Sequence, residues 1–342
     1  MDLDSLIIEL CNAPSPSGFE SAVRERIAQE LSPFAQEIYT DTLGNLIAMR
    51  RCGKKGAKLV MLDAHMDEVG LIVTGHEKGF LRFAAIGGVD ARMLPGCEVK
   101  LLGETPIFGV IGVMPPHALS DGEMDKALSI EELYIDTGLS QNEVQSLAPL
   151  GTYAVYASET QHFGDGFICG KSLDDRSCCA IAIKTMQELS KRVLSVDVCC
   201  LFSVQEEVGL RGATVGAYSV NPDFAIAIDV THGSTPDVPK HKTCVMGGGP
   251  AICVGPNMSR EFTASLMETA KTLDMNYQVE VAPGRSGTNA WQIQVSRGGV
   301  LTALVSLPTR YMHSPVETVC ACDARDIVKL LTEHISKLEE AL

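Results

Sequence analysis

Four apolar runs in this chain stop abruptly on a histidine or a carboxylate, and that pattern constrains the fold more than any other feature. Lys58 to Leu62 leads into Asp63-Ala64-His65, and Val198 to Val204 into Gln205-Glu206-Glu207. Phe224 to Ile228 leads into Asp229, and Val300 to Leu307 into Pro308-Thr309-Arg310-Tyr311-Met312-His313. Such short, continuous apolar runs read as strands buried on both faces, which require helices above and below the sheet. Helical periods supply them. Leu3, Leu6, Ile7 and Leu10 recur at helical spacing, and Ser17-Gly18-Phe19-Glu20 is a capping-box pattern ahead of Val23, Ile27 and Leu31. Further helices are expected over Asp175 to Leu189, Ser259 to Leu273 and Asp323 to Leu342, with another strand over Tyr277 to Val281. The fold class is α/β, an α/β/α sandwich around a central sheet.

Between about Gly70 and Tyr156 the texture changes. Short apolar runs such as Leu71-Ile72-Val73 and Phe108 to Val113 are separated by Gly and Pro, with few helical periods. Because the same α/β alternation resumes afterwards, this stretch reads as a small β-domain inserted into the larger one.

With 28 Lys and Arg against 43 Asp and Glu, the formal net charge is −15, which argues against a general nucleic-acid binder or a protein of anionic membranes. The amino terminus, Met1-Asp2-Leu3-Asp4, is acidic where a secretory signal is basic. A cytoplasmic location is therefore expected, and no membrane-spanning segment. Twelve cysteines without any C-x-x-C spacing read as reduced and mostly buried rather than as a zinc or disulfide framework. Cys178-Cys179 and Cys199-Cys200 are read as strand pairs whose members point opposite ways.

In open α/β sheets, ligands bind beyond the carboxyl ends of the strands, where His65, Asp67, Glu206, Glu207, Asp229 and His313 all fall. Asp174 and Asp175 join them just before a helix, where the macrodipole favours an anion. Each has a plain structural reading: an N-cap for Asp174 or Asp175, a solvated turn for Glu206, a strand end for Asp229, a loop for His313. Converging on one crevice, two imidazoles and several carboxylates are the ligand chemistry of a divalent metal site. A carboxylate able to bridge suits two ions about 3.5–4 Å apart. Adjacent Glu206 and Glu207 would aim differently on extended backbone, so that one can ligate and the other take a proton.

These residues, as a set and in this order, resemble the M42 peptidases, the di-metal aminopeptidases that include the TET enzymes and proteins once labelled cellulase M. The carriers are Leu62 to Gly70, Ser172 to Arg176, Gln205 to Ala213, Ala227 to Val230 and Pro308 to Pro315. The resemblance implies that His65, Asp174 and Asp229 hold one metal while Asp174, Glu207 and His313 hold the second, with Asp174 bridging. It also implies that Glu206 is the general base acting on a water between the metals, and that Asp67 orients His65. Two divalent ions per subunit, zinc or cobalt with manganese also suited, are implied as cofactors. The implied organisation is a catalytic domain of residues 1–68 and 162–342. Residues 69–161 would form an inserted β-barrel or PDZ-like dimerisation domain, within dimers or tetrahedral dodecamers.

The expected activity is hydrolysis of N-terminal residues from short peptides with a free amino end. The alternative is a di-metal N-acyl amino acid deacylase. A non-enzymatic scaffold conflicts with the complete ligand set, and glycoside hydrolysis with 5% aromatic residues and a single tryptophan, Trp291. One departure is Asn289 in Ser286-Gly287-Thr288-Asn289-Ala290, where the family is expected to carry Gly-Thr-Asp-Ala; the amide would alter the site's charge. Arg285 is a candidate partner for an acidic substrate side chain, and His117 and His162 are candidates to reach a neighbouring subunit's site.

Overall fold

The computed structural model describes residues 1–118, 127–236 and 238–338. Its centre is a mixed sheet. Asp197–Ser203, Leu59–His65, Phe224–His232 and Leu301–Arg310 lie side by side in that order, all parallel. They are the four apolar runs singled out from the sequence. Leu46–Arg50 flanks them antiparallel on one side and Glu317–Cys320 on the other. Parallel strands place their carboxyl ends at one edge of the sheet, so the polar residues following each run are delivered to a common edge.

The helices Leu3–Asn12, Ser21–Leu31, Leu173–Leu189, Arg260–Thr272 and Ala321–Ser336 share one core with the sheet, in which Leu6, Ile27, Ile181, Phe262 and Leu331 are fully buried. Arg211–Val220 and Ala290–Ile293 contribute to a second core built around Ile47, Met61 and Leu201. The architecture is thus the expected α/β/α sandwich.

The Gly-rich stretch forms a closed barrel of six antiparallel strands, from Gly70–Glu77 to Tyr153–Tyr156. Alternate residues of each strand point inward, and Val99, Leu101, Ile111 and Ile135 fill a core separate from that of the sandwich.

Several local expectations are corrected. The Phe224 strand continues past Asp229 to His232, and the Leu301 strand to Arg310, because each supplies the other's pairing partners as far as His232 opposite Thr309. The Ser17–Glu20 segment is not a capping box: the second helix begins at Ser21, the Ser17 hydroxyl donates instead to Asp67, and the Glu20 carboxylate accepts from Gly18 and Gln205 N–H groups. Cys178 and Cys179 lie on a helix, not a strand; all twelve cysteines are free thiols. The expected C-terminal helix is described as far as Ser336, and its last four expected residues, 339–342, lie outside the described residues.

The turn that carries Glu206 and Glu207 is clamped by close backbone approach. A Cβ at Gly212, at the start of the Arg211–Val220 helix, would lie 2.4 Å from Asn45 Oδ1 and from both Val204 N and O. Gly212→Ala is therefore expected to destabilise the protein by about 1–3 kcal/mol, the usual cost of overpacking. Denaturant unfolding with a midpoint equal to wild type would show that this approach is looser than the structure indicates.

Candidate metal centre

His65 is the last residue of its strand and Asp174 lies in the irregular first turn of the Leu173–Leu189 helix. Asp229 sits inside its strand, and His313 in the turn after Arg310, with φ 63°. These residues meet in a cleft of about 310 Å³, which Glu206 and Glu207 also line. His65 Nε2 lies 3.1 Å from Asp174 Oδ1, and His313 Nε2 lies 3.2 Å from Asp174 Oδ2 and 3.2 Å from Glu207 Oε1. One carboxylate, Asp174, thus faces both imidazoles. Around His65, donor atoms converge within 4.8 Å in two groups, His65 with Asp174 and Glu207, and His65 with Asp175 and Asp229, neither of which includes His313; a third group, Cys320 with Cys322 and Asp323, lies outside the cleft lining. The structure therefore brings in Asp175, a candidate in the sequence that the family resemblance left without a metal-binding role. Its Oδ2 accepts the His65 backbone N–H at 3.2 Å, and its Oδ1 is buried without a partner.

Asp67 does not line the cleft but backs it. His65 Nδ1 lies 3.4 Å from Asp67 Oδ1 and 3.1 Å from its carbonyl oxygen, which leaves Nε2 to face the cleft. The same carboxylate accepts the backbone N–H groups of Glu206 at 2.9 Å and Glu207 at 3.1 Å, and the Ser17 hydroxyl at 2.6 Å. It thereby ties the end of one strand to the turn beyond its neighbour. Glu206 and Glu207 occupy a tight turn rather than extended backbone, because Gln205 takes φ 55° and the Gly209 N–H closes back on the Glu206 carbonyl.

Glu317 has no counterpart in the sequence reading. Fully enclosed, it accepts the backbone N–H of His313 at 2.7 Å and of Asp174 at 3.0 Å, fixing two candidate ligands through their main chain. A strand carboxylate in Glu317-Thr318-Val319-Cys320 carries no motif that announces this contact. The barrel contributes as well: the Gly88 carbonyl oxygen lies 2.9 Å from His313 Nδ1, and a Cβ at Gly88 would strike that ring at 2.8 Å. Nearby, the Lys171 ammonium pairs with the buried Glu68 carboxylate at 2.7 Å.

The electrostatics follow from crowding acids in a desolvated space. Burial, with Asp229 and the other acids nearby, pushes the Glu206 carboxyl up to about 9, and burial raises Asp229 to about 8. Burial also raises Glu207 and Asp175. Burial opposes charging of His65, but Asp174 and Asp67 outweigh it and hold the imidazole well above its ordinary value. For His313 the same contest, won by Asp174 and Glu207, ends at about 12. Asp174, despite burial, is held below the usual carboxylate range by the two imidazoles. Carboxylates that retain protons unless a positive charge joins them, beside an orphaned carboxylate oxygen, form a donor set that fits hard or borderline divalent cations.

Other candidates fall outside. Asn289 is buried below the cleft, where its amide donates to the Ser203 hydroxyl at 2.8 Å. It helps to hold down the Asp63 carboxyl, which burial pushes up to about 6. An acid at 289 would face a second buried acid, so the amide changes the support of the sheet edge rather than the lining of the site. Arg285 does not line the cleft, whereas Ser286, Gly287 and Thr288 do. His117 and His162 are exposed and away from its lining.

A profile of the M42 glutamyl aminopeptidase family matches residues 44–330. The lysyl aminopeptidase of Pyrococcus furiosus is 33% identical over 98% of this chain and 97% of its own. Among solved structures, an aminopeptidase from Desulfurococcus kamchatkensis superposes with a TM-score of 0.91 at 34% identity, covering 98% of this chain and 94% of that one. The Pyrococcus horikoshii TET1 peptidase, which assembles into a tetrahedron or a large octahedral shell, gives 0.83 at 31% identity over 98% and 99%. With most of its length inside the family profile and the same fold throughout, the chain belongs to the M42 glutamyl aminopeptidase family.

Proposed function

We propose that this metallo-aminopeptidase removes single residues from the free amino ends of short peptides, using two divalent ions, zinc or cobalt with manganese also suited. The observation that carries the reading is the Asp174 carboxylate set between His65 and His313 at 3.1 and 3.2 Å, with Glu206 beside them in the cleft. His65, Asp174 and Asp229 would hold one ion, and Asp174, Glu207 and His313 the other. Bound there, the ions would polarise the scissile carbonyl and acidify the attacking water. Glu206, aimed into the cleft and free of the interactions that engage Glu207, takes the proton and returns it to the leaving amine. Asp67 keeps the His65 ring in the orientation that presents Nε2.

The family profile and the lysyl relative name different first residues, so neither transfers as a substrate. The inserted domain, residues 69–161, is proposed as the assembly element of a homo-oligomer. Phe108, Val110 and Met114 stand exposed on its surface, at 53, 38 and 54%. A cytoplasmic location agrees with twelve unpaired thiols, and among the described residues no helix is long and apolar enough to cross a membrane.

Aminoacyl-anilides and their N-acylated counterparts test the activity. Cleavage confined to the unblocked series is expected. Turnover only of the N-acyl compounds would overturn the reading in favour of an amino acid deacylase.

A further inference from the structure

Beyond the candidate ligands the cleft continues between the end of the Phe224–His232 strand and the Gln278–Val281 strand. Glu280 reaches into it. One carboxylate oxygen, Oε1, accepts the Thr231 hydroxyl at 2.7 Å; the other, Oε2, is shielded from solvent and has no hydrogen-bond partner among the described residues. Glu280 belongs to neither convergent donor group, so the proposed metal centre does not require its charge. Among the described residues the lining contains no Lys or Arg, and the His65 and His313 imidazoles are engaged by Asp174, Asp67 and Glu207. A shielded carboxylate oxygen without a partner is satisfied by a donor that a ligand brings into the cleft. Cys253, Ala282, Leu304 and Met312 also line the cleft, with surface suited to a methylene stem.

We propose that Glu280 selects substrates whose first residue carries a cationic side chain, lysine or arginine. An ammonium group offers three donors and a guanidinium a planar fork, and either satisfies the free Oε2 while Ala282 and Leu304 meet the stem. The inference rests on the aminopeptidase reading and deepens it. Arg285, the cation that would favour an acidic first residue, is absent from the lining, which points the preference the same way.

Lysyl- and norleucyl-anilides share a stem and an α-amino group and differ in the terminal charge. The wild-type ratio of kcat/KM, lysyl over norleucyl, is expected to be about tenfold to a hundredfold, the range for a hydrogen bond to a charged group. Glu280→Gln is expected to reduce that ratio at least tenfold, and Glu280→Lys to favour glutamyl- over glutaminyl-anilide. A wild-type ratio near one, or a ratio that Glu280→Gln leaves unaltered, overturns the assignment. The second result would mean that Glu280 serves the α-amino group common to both substrates. Cleavage of no unblocked substrate at all is a different failure, that of the aminopeptidase reading itself.

Discussion

Glu206→Gln is expected to lower kcat by about 10²–10⁴-fold, the usual contribution of a positioned general base, while bound metal stays at the wild-type level. The amide keeps the shape of the side chain and forfeits only its capacity to take a proton. No hydrogen bond from the Glu206 side chain holds the described fold together, and the turn is fixed through its backbone N–H on Asp67, so the substitution leaves the geometry in place. Glu207→Gln should behave differently, because Glu207 converges with His65 and Asp174 and lies 3.2 Å from His313; metal content is expected to fall with activity. Comparing the two by elemental analysis and steady-state kinetics separates base from ligand. Near-full activity in Glu206→Gln would reassign the base.

The same variant makes a stability prediction in chelated protein. Burial raises the Glu206 carboxyl from 4.5 to about 9, so the folded state holds a proton that the unfolded chain has already released. A raised acid destabilises the fold increasingly as pH climbs from about 4.5 to about 9. Above pH 4.5 chelated Glu206→Gln is therefore expected to melt higher than chelated wild type, and the gap to widen toward pH 9. Equal melting temperatures across that window would show that solvent reaches the carboxylate.

What the sequence made legible follows from covalent order. An apolar run buried on both faces has to be a central strand, and its polar terminus has to lie at the sheet edge; His65, Glu206 and Glu207 follow from that argument alone. Asp229 was legible as a residue, though not its place three positions inside a strand that its neighbour prolongs. Contacts made through the main chain were hidden. Glu317 and Asp67 hold other residues by their backbone N–H groups, an interaction indifferent to the side chains of its partners, so it leaves no trace in residue type or spacing. Glu280 was hidden for another reason: its strand, Gln278–Val281, alternates exposed and half-buried positions and reads as an ordinary edge.

Removal of metal should abolish activity and weaken the fold together. Asp174, Glu206, Glu207 and Asp229 line one cleft with two imidazoles, and Asp175 lies buried beside them; burial first, and the neighbouring acids second, raise four of these five carboxyls, while hydrogen-bonded acids raise both imidazoles. Divalent ions supply the positive charge that these buried acids lack, so binding to the folded state stabilises it, by about 2.7 kcal/mol for each site at a free concentration 100 times its Kd. Dialysis against a chelator is expected to bring cleavage of unblocked anilides to background and lower the melting temperature; zinc, cobalt or manganese should restore both. The stoichiometry at recovery carries the most information. Two ions per chain agree with Asp174 bridging between His65 and His313, whereas full recovery at one ion would confine the chemistry to a single three-residue group. Turnover by protein shown by elemental analysis to be free of metal would overturn the metal reading outright. It would leave proton transfer in the cleft to side chains alone, among them the raised Glu206, Glu207 and Asp229 carboxyls and the His65 and His313 imidazoles.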